Sequence, residues 1–212
     1  MAKIITIDGP ASVGKSEVAK KLSKKYNAPI LYSGRLYRAI ALEVVNKKIN
    51  IKNTKEIIKC ASNINETILK SHKLYSDKID KISSQISSIK ELRLKLIKYQ
   101  RSFPKKQLKS KKYVIIEGRD IGTVIFPKAN HKIFMWASSK ARAGRRVKQI
   151  GQTKKTRNIS QIHQLIIARD MRDMTRKFAP LIPAADSHLL DTTFLDIEQT
   201  FNAIVKIINK KK

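Results

Sequence analysis

Gly9-Pro10-Ala11-Ser12-Val13-Gly14-Lys15-Ser16 satisfies the pattern G-x-x-x-x-G-K-[ST] in full. The apolar run Ile4 to Ile7 precedes it, and the helical pattern of Val18, Ala19 and Leu22 follows. Nothing else in the chain constrains the fold as tightly. Such a loop needs a strand to launch it and a helix N-terminus to receive it, with backbone N–H groups turned toward an anion. Lys15 is then placed to reach terminal phosphates and the Ser16 hydroxyl to ligate Mg2+ directly. Gly9 through Ser16, with Glu17 after them, are the expected ATP-binding residues.

Glycine is scarce, with seven in the chain, and five of them fall in three short motifs that each follow a strand-like run. The phosphate loop is the first. In the second, Leu31-Tyr32-Ser33-Gly34-Arg35-Leu36-Tyr37-Arg38, Ser33 is expected to cap a helix patterned by Leu36, Ile40 and Val44. Arg38 lies about a turn and a half on, where a guanidinium faces either an anion at the sheet edge or solvent. In the third, Tyr113-Val114-Ile115-Ile116-Glu117-Gly118-Arg119-Asp120-Ile121-Gly122, a buried-strand pattern ends in a carboxylate and a charged turn. Ligands of parallel α/β sheets bind beyond the carboxyl ends of strands. Glu117 is therefore expected to meet Mg2+ through water, and Arg119 and Asp120 to face a second substrate.

Arginine clusters on two later helical patterns. Arg142, Arg145 and Arg146 share one face by spacing. After the polar break Gly151 to Thr156, Arg169, Arg172, Asp173 and Arg176 are predicted to share one side of the next helix. Like charges stacked this way repel unless an anion or an acid sits among them, so both clusters read as anion-binding. Trp136, beside Phe134, is expected in the core. The four histidines show no metal-ligand spacing, and the single Cys60 excludes an internal disulfide.

The 46 Lys and Arg against 16 Asp and Glu leave a formal net charge of +30. That charge raises the possibility of nucleic-acid binding. Lysine is spread along the whole chain, however, and no aromatic stacking platform interleaves it. A solvated basic surface is the expectation, with no dedicated nucleic-acid site. No apolar stretch reaches membrane-spanning length and the first residues do not resemble a leader, so a soluble cytoplasmic protein is expected.

Strand-like and helical segments alternate: strands 3–8, 29–32, 113–117, 132–136 and 188–192, with helices 14–26, 34–47, 139–150, 158–177 and 196–209. That order predicts a three-layer α/β fold on a parallel sheet. Residues 52–110 break the alternation as a polar, mostly helical insertion.

Taken together, these segments resemble the bacterial cytidylate kinases, a family of P-loop nucleoside monophosphate kinases. The resemblance rests on Ile5-Thr6-Ile7-Asp8-Gly9-Pro10 with Gly14-Lys15-Ser16, and on Ser33-Gly34 with Tyr37-Arg38. It continues through Gly118-Arg119-Asp120-Ile121-Gly122, Ala137-Ser138-Ser139 and Arg169 to Arg176, ending in Ala179-Pro180-Leu181-Ile182-Pro183-Ala184-Ala185-Asp186. It implies a P-loop NTPase fold with a central five-stranded sheet, a core of 1–51 and 111–212, a nucleotide-binding insertion at about 52–110 and a short lid at about 144–157. It implies transfer of the ATP γ-phosphoryl group to CMP or dCMP with Mg2+, by a monomer. Ser33, Arg38 and Arg119 would contact the CMP phosphate, while Ser84, Arg93 and Asp120 would read cytosine. Arg169, Asp173 and Arg176 would serve the ribose and phosphate side, and Arg142 and Arg146 would serve ATP. Lys15, Arg119, Arg169 and Arg176 would be the catalytic set. Glu117 stands where the family usually has Asp, Tyr32 replaces an acid, and Arg35 is unusual before Leu36-Tyr37. The competing readings are another small-acceptor P-loop kinase (UMP/CMP or deoxynucleotide) and a P-loop ATP-dependent nucleic-acid-binding protein.

Overall fold

The computed structural model describes residues 3–107, 111–151 and 158–210. Five strands, β1 (Lys3–Asp8), β2 (Ile30–Tyr32), β3 (Tyr113–Gly118), β4 (His131–Trp136) and β5 (His188–Asp191), form one parallel sheet in the order β2-β3-β1-β4-β5. Both faces of a parallel sheet are covered, so its strands read as near-continuous apolar runs. β3 is buried at every position, and central β1 pairs Ile5 with Ile115 on one side and His131 on the other.

In chain order the helices are α1 (Lys15–Tyr26), α2 (Ser33–Asn46), α3 (Thr54–Cys60), α4 (Glu66–Lys70), α5 (Asp77–Ile86), α6 (Lys90–Gln107), α7 (Ser139–Gly151), α8 (Ile159–Thr175) and α9 (Ile197–Asn209). On one face of the sheet, Ile5, Ile7, Ile115, Ile133 and Met135 meet Val18, Ala19 and Leu22 of α1 and Ile204 and Ile208 of α9. On the other, Leu31, Val114 and Ile116 meet Ile121, Ile125 and the α6 residues Ile97 and Phe103. The segment between α2 and β3 builds a third cluster against α2, with Leu36, Ile40 and Val44 packed on Ile57, Cys60, Ile79, Ile86, Leu92 and Leu96. That cluster sets α5 and α6 beside the carboxyl ends of β2 and β3.

Trp136 corrects the sequence reading: it is 45% exposed. Ile133 and Met135 take the face toward α1 and α9, so the two-residue period of β4 turns Trp136 to the opposite face at the strand's end. There the Arg142 guanidinium lies 5.9 Å from its ring centroid. No helix among the described residues is long and apolar enough to cross a membrane.

Candidate active site

The phosphate loop leaves β1 with three backbone positions in the left-handed region, Gly9 (φ 147°), Ser12 (φ 58°) and Gly14 (φ 102°). A Cβ on Gly9 would stand 2.2 Å from the Met135 carbonyl oxygen, so no other residue fits there. Gly14 caps α1 without a side chain, which leaves the first N–H groups of that helix for an anion. The Lys15 ammonium, nearly buried, donates to the carbonyls of Gly9 (2.9 Å) and Pro10 (2.6 Å). Burial and the neighbouring Arg119 cation push its pKa well below the ordinary lysine value.

At the foot of the loop the Ser16 hydroxyl donates to Glu117 Oε2 at 2.8 Å. Hydroxyl and carboxylate oxygens side by side fit Mg2+, which uses one or two protein oxygens and completes its shell with phosphates and water. Among the described residues no group of three or more His, Cys, Asp or Glu side chains is gathered to hold a metal. Glu17 is exposed and pairs with Lys20 at 2.8 Å, so its side chain is taken up on the helix surface.

Asp8 is a site residue that sequence reasoning missed. Its carboxylate accepts from Ile121 N (2.9 Å) and Gly122 N (2.7 Å), fastening the end of β1 to the turn that carries Arg119 and Asp120. Burial raises its pKa to about 7 against the lowering effect of those two hydrogen bonds. An acid closing a strand immediately before a phosphate loop was the available signal.

Beyond Asp8, opposite charges alternate through a buried chain. Arg93 binds Asp120 Oδ2 at 2.6 Å and donates to the Ser87 carbonyl at 2.9 Å. Arg176 stands 3.8 Å from Asp120 Oδ1 and 3.7 Å from Asp173 Oδ1. Arg119 donates to Asp173 Oδ2 at 3.0 Å. Burial alone would raise Asp173, yet Arg119, Arg169 and Arg176 hold it below its ordinary value. Tyr37 lies beneath Arg93, 5.4 Å from ring centroid to guanidinium.

Ser33 is buried in the first turn of α2, its hydroxyl without a hydrogen-bond partner. It does not cap the helix. β2 runs into α2 without a linker, so the capping position falls on the strand residue Tyr32. Arg38 donates to the Leu74 carbonyl at 2.8 Å and pairs with Asp80. The Ser84 hydroxyl accepts from Arg172 Nε at 3.2 Å. Arg169 reaches Asp80 at 3.5 Å, and burial with the nearby Arg119 charge lowers its pKa to about 10. Arg176 is not on the helical face with Arg169: α8 ends at Thr175, and Arg176 is extended, its Nε donating to the Ala179 carbonyl at 2.5 Å.

A family model for cytidylate kinase matches residues 5–210 of this arrangement. The chain belongs to the cytidylate kinase family. The cytidylate kinase of Fusobacterium nucleatum is 38% identical over 219 residues, covering 99% of this chain and 98% of the relative. That of Clostridioides difficile is 34% identical over 217 residues, covering 97% and 98%. The fold is also similar to a solved structure of an uncharacterized protein from Eubacterium ventriosum, with a TM-score of 0.57, 15% identity and full coverage of both chains.

Within this cytidylate kinase family member, the α7 arginines divide. Arg142 is 2% exposed, pairs with Asp170 at 2.6 Å and donates to the carbonyls of Ala11 (3.1 Å) and Ala137 (2.9 Å). It is turned inward against the phosphate loop. Arg145 donates to the carbonyls of Val13 and Leu195, each at 3.2 Å. Arg146 reaches across to Asp80 at 2.8 Å. Of the expected lid, 144–151 is helical in α7, and 152–157 lies outside the described residues.

Proposed function

We propose that this chain transfers the γ-phosphoryl group of ATP to CMP or dCMP, giving ADP and the cytidine diphosphate. The observation that carries this reading is the placement of two polar systems on adjoining strands. The phosphate loop continues β1, the network Arg93–Asp120–Arg176–Asp173–Arg119 continues β3, and Asp8 ties the two together.

No general base is needed, because the acceptor phosphate has a second pKa of about 6 and is largely dianionic at neutral pH. The barrier is electrostatic, since two polyanions must meet in line. Lys15 releases its loop carbonyls to grip the donor's terminal phosphates, and Arg119, Arg169 and Arg176 stabilise charge on the transferring group. Ser16 and Glu117 would hold Mg2+, which when bound would supply charge neutralisation across the donor phosphates. Ser33, with its unpartnered hydroxyl, joins Arg38 and Arg119 on the acceptor phosphate. Ser84, Arg93 and Asp120 read cytosine, and Asp173 takes the sugar hydroxyls. Arg142 shapes the ATP loop from beneath while Arg146 faces the nucleotides. The insertion at about 52–110 acts as the acceptor-binding part, and the described portion of the lid, 144–151 in α7, moves over ATP to exclude water. The enzyme works as a monomer.

The deciding experiment follows ADP formation from ATP and Mg2+ with CMP, dCMP, UMP, AMP, GMP and dTMP supplied separately. Turnover is expected to be strongest with CMP and dCMP. Turnover with none, accompanied by ATP hydrolysis stimulated by RNA or DNA, overturns the reading.

A further inference from the structure

Asp80, on α5 one turn before Ser84, binds arginines from three other elements with one carboxylate. Oδ1 takes Arg38 of α2 and, at 3.5 Å, Arg169 of α8; Oδ2 takes Arg146 of α7 at 2.8 Å. The Asp80 side chain is 19% exposed, so these pairs are partly withdrawn from water and weakly screened. One negative charge faces three positive ones. The cluster remains under-neutralised, and the buried Nε of Arg169 has no hydrogen-bond partner. A phosphate group brings more charge and three oxygens to such a cluster, and matches guanidinium forks better than one carboxylate does.

We propose that Asp80 is an internal competitor anion, holding the point where these arginines grip phosphate, so that an entering nucleotide phosphate must displace it. This rests on the assignment of Arg38, Arg146 and Arg169 to the nucleotide phosphates. Asp80 thereby raises the threshold for anions: small inorganic ions displace it poorly, whereas a nucleotide with further contacts to its base and sugar displaces it fully. Because α5 also carries Ser84, seating the base and expelling the carboxylate act on one helix. Asp80 is a specificity-determining residue that works through the arginines it neutralises.

The test titrates inorganic pyrophosphate calorimetrically into the full chain, the Asp80→Asn variant and the Glu66→Gln variant. Glu66 is an exposed acid of the same insertion, paired with Lys70 at 3.9 Å, and its loss changes net charge equally. Removing the competing charge is expected to tighten pyrophosphate binding about fivefold or more in Asp80→Asn and to leave Glu66→Gln near the parent. The KM for CMP should fall in the same variant while kcat does not rise. Pyrophosphate binding that is unchanged or weaker in Asp80→Asn, or equally tightened in Glu66→Gln, overturns the proposal. Should Asp80→Asn fail to fold, a crystal structure of the parent with CMP and ADP bound decides. Asp80 is expected beyond about 4 Å from Arg38 and Arg169, and retained pairs count against it. Pyrophosphate binding is independent of the acceptor, so a parent chain that does not turn over CMP, with pyrophosphate binding still tightened in Asp80→Asn, would sink the CMP assignment and leave Asp80 standing.

Discussion

Lys15 spends its donors on the Gly9 and Pro10 carbonyls, which holds a cation at the mouth of the loop without an acidic partner that phosphate would have to evict. Lys15→Met keeps the length and loses the charge. We expect kcat to drop by at least about 10²–10³-fold, the scale for losing one preorganised charge donor, with the circular dichroism spectrum unchanged. Retention of more than a tenth of the activity would remove Lys15 from the mechanism. Asp8 yields a pH prediction. Its folded pKa of about 7 lies above the ordinary aspartate value of 3.8, so between those values the folded chain keeps a proton that the unfolded chain releases. That contribution is complete below pH 3.8 and is lost as pH rises through about 7. Between about pH 5.5 and 8 the parent should lose about 2 kcal/mol relative to Asp8→Asn. Parallel melting curves for the two proteins across that range would refute it. Two departures from the family pattern also explain each other at this scale. The Arg35 guanidinium stacks 4.2 Å above the Tyr32 ring, so the unusual arginine partners the unusual tyrosine, whose hydroxyl is pushed up to about 12 by burial.

Among the elements, the inner strands β1, β3 and β4 are readable from their apolar runs, because buried parallel strands carry a continuous signal, whereas β5 at the sheet edge is mostly exposed and offers only Leu189-Leu190. The loops after β1 and β3 are readable because glycine is scarce here and marks positive φ at Gly9 and Gly14 and close approach at Gly118 and Gly122, whereas Gly34 after β2 meets neither condition. The Ser33 cap was misread, since capping residues are recognised by type while the true cap position depends on how directly β2 enters α2. Arg176 was misread because helical spacing continues on paper past Thr175, where the chain extends and Leu181 N donates to the Asp173 carbonyl. Asp80 was invisible for another reason: its three arginines are 42, 66 and 89 residues away in sequence, and only the packing of α5 beside α2, α7 and α8 joins them. α7 gives a stability prediction. Arg142 braces the phosphate loop through Ala11 and neutralises Asp170 in a setting that excludes water. Arg142→Ala strands that acid and should destabilise the fold by about 3–5 kcal/mol, measured by urea unfolding. A loss below about 1 kcal/mol, the size of a surface ion pair, would contradict the buried-brace role.

Across the whole molecule the net charge of +30 far exceeds what the site holds: Arg93 pairs with Asp120, Arg119 with Asp173 and Arg142 with Asp170, which leaves Lys15 and the three arginines around Asp80 as its unbalanced cations. The unpaired excess therefore lies mainly on the lysine-rich exterior. An exterior field of this sign concentrates anionic substrates around the chain and speeds their arrival, over a range set by the Debye length. That length shrinks from about 30 Å at 0.01 M salt to about 8 Å at 0.15 M. The paired interior charges are screened far less. Raising sodium chloride over that range should then lower kcat/KM for CMP several-fold while kcat changes little, because capture depends on the exterior and transfer on the buried network. Chloride suits this better than sulfate, which would compete for the arginines directly. A kcat that falls as steeply as kcat/KM would mean that salt reaches the transferring charges, and that the buried pairs open to solvent during turnover. A kcat/KM indifferent to salt would leave the positive exterior with no part in substrate capture.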